Sequence, residues 1–177
     1  MARRGASLAT DMPFRKKKQV PPPPRAPRKP GAALLEAHIR DLCDEYEIAI
    51  AGSSSRGRAV RYVGGGLEIA IPEIRGQVTY LIALHEIGHL VGAGRSAPRL
   101  ESEANAWVWA LENTEVEPTE ASLRSIGKRL DGYLHWALAR QHRKHPPRIP
   151  PEEHVFWRLR QLSGTSFDSF ESVGRAV

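Results

Sequence analysis

The sequence predicts an α+β domain in which a small antiparallel sheet packs with an N-terminal helix and three further helices. Three observations predict it. Three short strand-like runs, "EIAIA", "AVRYV" and "LEIAI", lie close together and are parted by "GSSSRGR" and "GGG", both turn chemistry. One amphipathic helical segment precedes them, and three longer helical segments follow. A chain of 177 residues, 41% hydrophobic and 26% charged, has room for one such domain with tails.

Residues 1–30 contain "RKKK", "PPPP" and "RAPRKP". They hold nine Lys/Arg and one acid, so although the whole chain is +6, the remainder carries a net −2. Few apolar residues and dense proline predict a disordered basic arm with polyproline II character. Such an arm suits loose contact with nucleic acid or an acidic partner, or simple solubilisation.

The domain is expected over 31–143. In "AALLEAHIRDLCDEY", Leu35, Ile39, Leu42 and Tyr46 recur at helical spacing, predicting a helix over 32–46. The three runs then form an antiparallel meander, with Pro72 ending the third strand or marking it as an edge. Residues 77–92 form an apolar helix, stopped by "GAGRSAP". A second helix starts near Pro98, and a third covers "EPTEASLRSIGKRLDGYLHWALARQHRK" with Thr119 as its cap. Residues 144–177 read as a proline-rich linker, a short helix in "EEHVFWRLRQL" and a tail.

Cys43 is the one cysteine, which excludes an intrachain disulfide and a cysteine-rich zinc finger and fits a reducing, cytoplasmic compartment. No apolar run approaches the roughly 20 residues of a membrane span, and the N-terminus lacks the apolar core of a secretory signal.

The chemistry concentrates in "LIALHEIGHLVGAG". The spacing of four places His85 and His89 one turn apart on one face, where two imidazoles can grip one ion. At 100° per residue, Leu84, Ile87 and Val91 fall opposite them, and Glu86 lies beside the pair, where a metal's water would sit. A catalytic zinc site takes three protein ligands and leaves a fourth position open. No histidine occurs between His89 and His135, so the third ligand is sought among carboxylates, with Glu101 and Glu103 the first candidates. The same angular construction turns Glu101 inward with Asn105 and turns Glu103 toward water.

"HEIGH" followed by "ESEAN" and an aromatic-rich helix resembles the ImmA/IrrE-type zinc metallopeptidases, and more distantly other gluzincins, over about residues 32–112. The resemblance implies a minimal zincin-like domain that holds one Zn²⁺ through His85, His89 and Glu101. Asn105 would support a ligand histidine. It also implies limited proteolysis of a specific protein, often a repressor. Many relatives carry a helix-turn-helix domain, and no segment here reads as one. The expected reaction is peptide-bond hydrolysis, with Glu86 as general base and then acid. Tyr80, Tyr133 and His135 are the candidate donors to the oxyanion. The resemblance further implies that the edge strand before the motif helix, "LEIAI", holds substrate in extended form. Trp107, Trp109 and Trp136 read as packing residues. From a different class, the competing expectation is a non-catalytic, zinc-stabilised binding module that works through its basic arm.

Overall fold

Burial of apolar stripes produces each helix where the periodicity places it. The computed structural model describes residues 31–94 and 96–162; the expected arm, 1–30, and the tail after 162 lie outside them. Helix α1 spans Ala32–Glu45 and buries Ile39, Leu42 and Cys43. Strands β1 (Ile48–Ser53), β2 (Arg58–Arg61) and β3 (Leu67–Ile71) follow, then helices α2 (Gln77–Val91), α3 (Arg99–Glu112), α4 (Glu120–Leu138) and α5 (Val155–Gln161).

The sheet is mixed, which corrects the expected antiparallel meander. Its order is β1-β3-β2. β3 runs parallel to β1, with Ile48 opposite Leu67, and antiparallel to β2, with Arg58 opposite Ala70. β3 is the most apolar run and is at least half-buried throughout, whereas β1 is exposed beyond Ile48 and β2 is exposed at both ends. The strand that can be covered on both faces therefore takes the centre. β3 is thus no edge, and Pro72 marks its end. A turn closed by Tyr62 and Gly66, whose backbone bond is 2.8 Å, joins β2 to β3.

α2 is the central helix, with every residue from Tyr80 to Gly88 buried. It packs against α1, the sheet, α3 and α4. Gly88 permits the closest approach: a Cβ there would lie 2.8 Å from the carbonyl oxygen of Ala106 on α3. The Tyr80 hydroxyl is 2.7 Å from His38 Nδ1 and accepts from the Glu115 N–H at 3.1 Å, tying α1, α2 and the α3–α4 loop together.

Thr119 caps α4 as expected, accepting from the Ser122 N–H at 3.3 Å. α4 ends at Leu138, before the expected position 144. There Arg140 donates to the Trp136 carbonyl and Gln141 to the Ala137 carbonyl, satisfying helix-end acceptors as the chain turns away. α5 lays Phe156 and Leu159 into the same core as α2, α3 and α4, so the expected boundary after 143 does not part the core. Among the described residues, no helix is long and apolar enough to cross a membrane.

Candidate metal centre

The polar side of α2 and one residue of α3 converge. His85 and His89 stand one turn apart with their Nε2 atoms 3.0 Å from each other. Glu103 Oε2 is 3.2 Å from His85 Nε2 and 3.3 Å from His89 Nε2. Tetrahedral coordination at about 2.0–2.1 Å separates ligand atoms by roughly 3.3–3.4 Å, so the three atoms form a triangle of the size one ion requires. His85, His89 and Glu103 are thus a buried group that could hold a metal ion. Arg99 Nε donates to the other Glu103 oxygen at 3.1 Å and fixes the carboxylate's orientation.

Glu103, and not Glu101, is the carboxylate beside the histidines. The expectation that Glu103 faces water is corrected, since it is only 4% exposed. The stripe that α3 buries runs through Leu100, Glu103, Ala104, Trp107 and Leu111, and Glu103 occupies an interior position of it. Glu101 turns toward the proline-rich segment, where Arg148 Nε lies 3.6 Å from its Oε1. The signal was present in the sequence. Taking Trp107 and Leu111, rather than Val108, as the inward residues of α3 selects Glu103. Asn105 packs against the loop after α2, where a Cβ on Gly94 would lie 2.1 Å from its amide nitrogen.

Protonation states fit a cation. Burial lowers His85 to about 4, against the opposing hydrogen bond to Glu103, so its ring is neutral near pH 7. Burial alone would raise the Glu103 carboxyl, but the hydrogen bonds it accepts from His85 and His89 outweigh it and hold it well below the usual carboxylate range. A neutral imidazole beside an ionised carboxylate is the form in which both act as ligands. Trp107 stacks on the His85 ring with centroids 4.0 Å apart, fixing its plane. Among the described residues, His85 Nδ1, Glu101 Oε1 and Trp107 Nε1 are buried without a hydrogen-bond partner.

Glu86 is buried beside the triad at 7% exposure, and burial pushes its pKa up to about 7. The turn between β1 and β2 closes over it. Gly57 sits at φ +83°, and a Cβ there would fall 2.3 Å from Glu86 Oε1. Only glycine combines that backbone angle with that approach. The sequence marked "GSSSRGR" as a turn and carried no sign that it covers Glu86.

Glu86, His89 and Glu103 open onto a cleft of about 1280 Å³ between β2, the α2–α3 connection and α4. The three expected oxyanion donors separate here. Tyr133 lines the cleft, and burial together with the Glu103 carboxylate raises its pKa to about 12, so it keeps its proton. Tyr80 belongs to the core and bonds His38, while His135 is exposed and does not line the cleft. The expected substrate strand also changes: β2, an edge strand, lines the cleft through Arg58, Ala59 and Arg61, whereas β3 is paired on both sides. Trp107 is core as expected, Trp109 is half-buried against Tyr46, and Trp136 is exposed.

Comparison of the chain with protein-family models, with curated proteins and with solved structures finds no match.

Proposed function

We propose that this protein is a zinc-dependent metalloendopeptidase, of the kind its "HEIGH…ESEAN" segment resembles, that cuts a specific protein substrate. One observation carries the proposal: His85, His89 and Glu103 converge within 3.0–3.3 Å of one another, with Glu86 on the same wall of an open cleft. Two histidines and one glutamate are the donor set of a hydrolytic zinc site with an open position.

When bound, zinc supplies Lewis acidity, lowering the pKa of a water toward about 7 and polarising the scissile carbonyl. The chain's own groups do the rest. The Glu86 carboxylate takes the water's proton and delivers it to the departing amine. Gly57 leaves room for that carboxylate and shields it. The protonated Tyr133 hydroxyl, which lines the cleft, would donate to the developing oxyanion. The free edge of β2 can hold an extended peptide along the cleft by strand addition.

The test uses the full chain. Expected are one zinc per molecule and cleavage of members of a proteome-derived peptide library. Glu86→Gln keeps the zinc and loses cleavage by on the order of 10²–10⁴-fold. Folded wild type that takes up no metal, or Glu86→Gln that cuts as fast as wild type, overturns the proposal. The competing view, a non-catalytic module acting through its basic arm, rests on residues 1–30, which lie outside the described residues.

A further inference from the structure

The cleft that contains the metal centre carries an excess of positive charge that the hydrolytic chemistry does not use. Among the described residues, five arginines line it, against two carboxylates, and those two are Glu86 and Glu103. Two of the five are committed within the fold: Arg61 donates to the Leu90 carbonyl at 2.7 Å, and Arg99 to Glu103. The other three are Arg56 and Arg58, on and beside the edge strand β2, and Arg129 on α4 across the cleft. None of these three makes an ion pair with a described residue. Arg129 is half-buried, where an unpaired guanidinium is costly unless an anion meets it.

Arg56 and Arg129 also line a side chamber of about 430 Å³, shared with Arg99 and walled by Tyr133, Trp136 and Gly132. A Cβ on Gly132 would meet nothing within 4 Å, so the chamber is open on that side. It is large enough for one long side chain, apolar along its walls and cationic where it meets the metal cleft. A guanidinium fork binds a carboxylate in two parallel bonds, and arginine is the residue suited to that task.

Resting on the peptidase proposal above, we infer that the substrate is acidic around the scissile bond, with a glutamate or aspartate side chain entering this chamber to meet Arg56 and Arg129. A peptide strand added to β2 sends alternate side chains to the same side, and Arg58 can meet a second acid two residues away. The free edge of β2 and the hydrolytic group favour a peptide over nucleic acid as the anionic partner.

The probe is a fluorescein-labelled octapeptide of alternating Glu and Ala, compared with its Gln/Ala counterpart. Anisotropy is read on full-length, zinc-loaded Glu86→Gln protein, so binding is measured without cleavage. The Glu peptide is expected to bind at least ten-fold tighter at low salt, with most of that preference gone at 0.5 M NaCl, where screening is strong. Combining Arg56→Gln with Arg129→Gln should reduce the preference to less than three-fold, while Arg124→Gln, which removes an exposed α4 arginine paired with Glu120, should leave it intact. Equal binding of the two peptides overturns the inference. So does a preference that survives the double substitution, since the arm or another surface would then hold the peptide. Tighter binding of a single-stranded octanucleotide than of the Glu peptide also overturns it. Failure of this inference and failure of the peptidase proposal are distinguishable. Library cleavage without acidic enrichment at the cut sites sinks only the inference, and acidic preference in binding without any cleavage by wild type sinks only the peptidase.

Discussion

Glu103 Oε2 sits 3.2 Å from His85 Nε2, joining two helices whose backbones Gly88 allows to touch. The contact depends on packing at both ends. Trp107, one turn after Glu103, lies flat on the His85 ring and is 1% exposed. Arg99, one turn before Glu103, holds the carboxylate's other oxygen. A stretch of α3 thus presents a clamp, a ligand and a stacking platform to α2.

If the group holds zinc as proposed, zinc content should follow from this contact. Glu103→Ala should bind far less than one zinc per molecule, and Glu101→Ala should retain the full complement, because Glu101 faces Arg148. Elemental analysis of the purified variants checks it. Loss of zinc in Glu101→Ala with retention in Glu103→Ala would reverse the assignment of the third ligand.

Helix spacing should be equally sensitive. Gly88→Ala drives a Cβ into the Ala106 carbonyl, a backbone atom that cannot swing aside. It should cost about 1–3 kcal/mol and weaken zinc binding as α3 is displaced. Gly132→Ala on α4, whose Cβ meets nothing, should instead stabilise by roughly 0.5–1 kcal/mol. Denaturant titrations of the pair test the contrast.

Trp107→Ala removes a fully buried ring and the support of His85. A loss of about 3–5 kcal/mol is expected. Zinc affinity should fall further than in Trp109→Ala, whose ring packs on Tyr46 away from the histidines. Comparable zinc affinities in the two variants would mean that the stack does not position His85.

Cys43 should be a quiet thiol. Burial, assisted by Asp44, pushes its pKa up to about 11. At pH 7.5 the thiolate population is then roughly 300-fold below that of an ordinary cysteine near 8.5. Reaction with Ellman's reagent should be slow in the native protein and fast after denaturation. Prompt native labelling would contradict its placement in the core.

Acid should loosen α5 through its cap. The Phe156 N–H donates to His154 Nδ1 at 3.1 Å, so only the neutral ring caps the helix, and burial lowers the His154 pKa. Below the unfolded value of about 6.5 the unfolded chain binds the proton more readily, so this contribution is complete above that pH and is lost as pH falls through the folded pKa. His154→Asn keeps a capping oxygen that does not titrate. The drop in melting temperature between pH 8 and pH 5 should be smaller in that variant than in wild type, and an equal drop would rule out the cap as the acid-sensitive element.

The local signals were strong where periodicity and end chemistry agreed. For α2, the run from Leu81 to Leu90 with histidines one turn apart is enough for a helix presenting both rings on one side. Thr119 could be read as a cap from its hydroxyl and position. The sheet was different. Strand runs were legible, but their order was not, because hydrogen-bond partners are chosen by which strand can be covered on both faces. The inward face of α3 is ambiguous in the sequence, since Val108 and Asn105 compete with Leu100, Trp107 and Leu111 for the inward stripe, and only the packed neighbour decides between faces.

By itself, therefore, the sequence determined the α+β composition, the two-histidine helix and Glu86 beside it, because helical spacing is a property of the local chain. Tertiary structure alone decided that Glu103 completes the group, that β2 borders the cleft, that Gly57 closes over Glu86, and that Arg56 and Arg129 face the same chamber. These are meetings between residues far apart in the chain, and they are set by the burial of apolar faces, which local spacing does not encode.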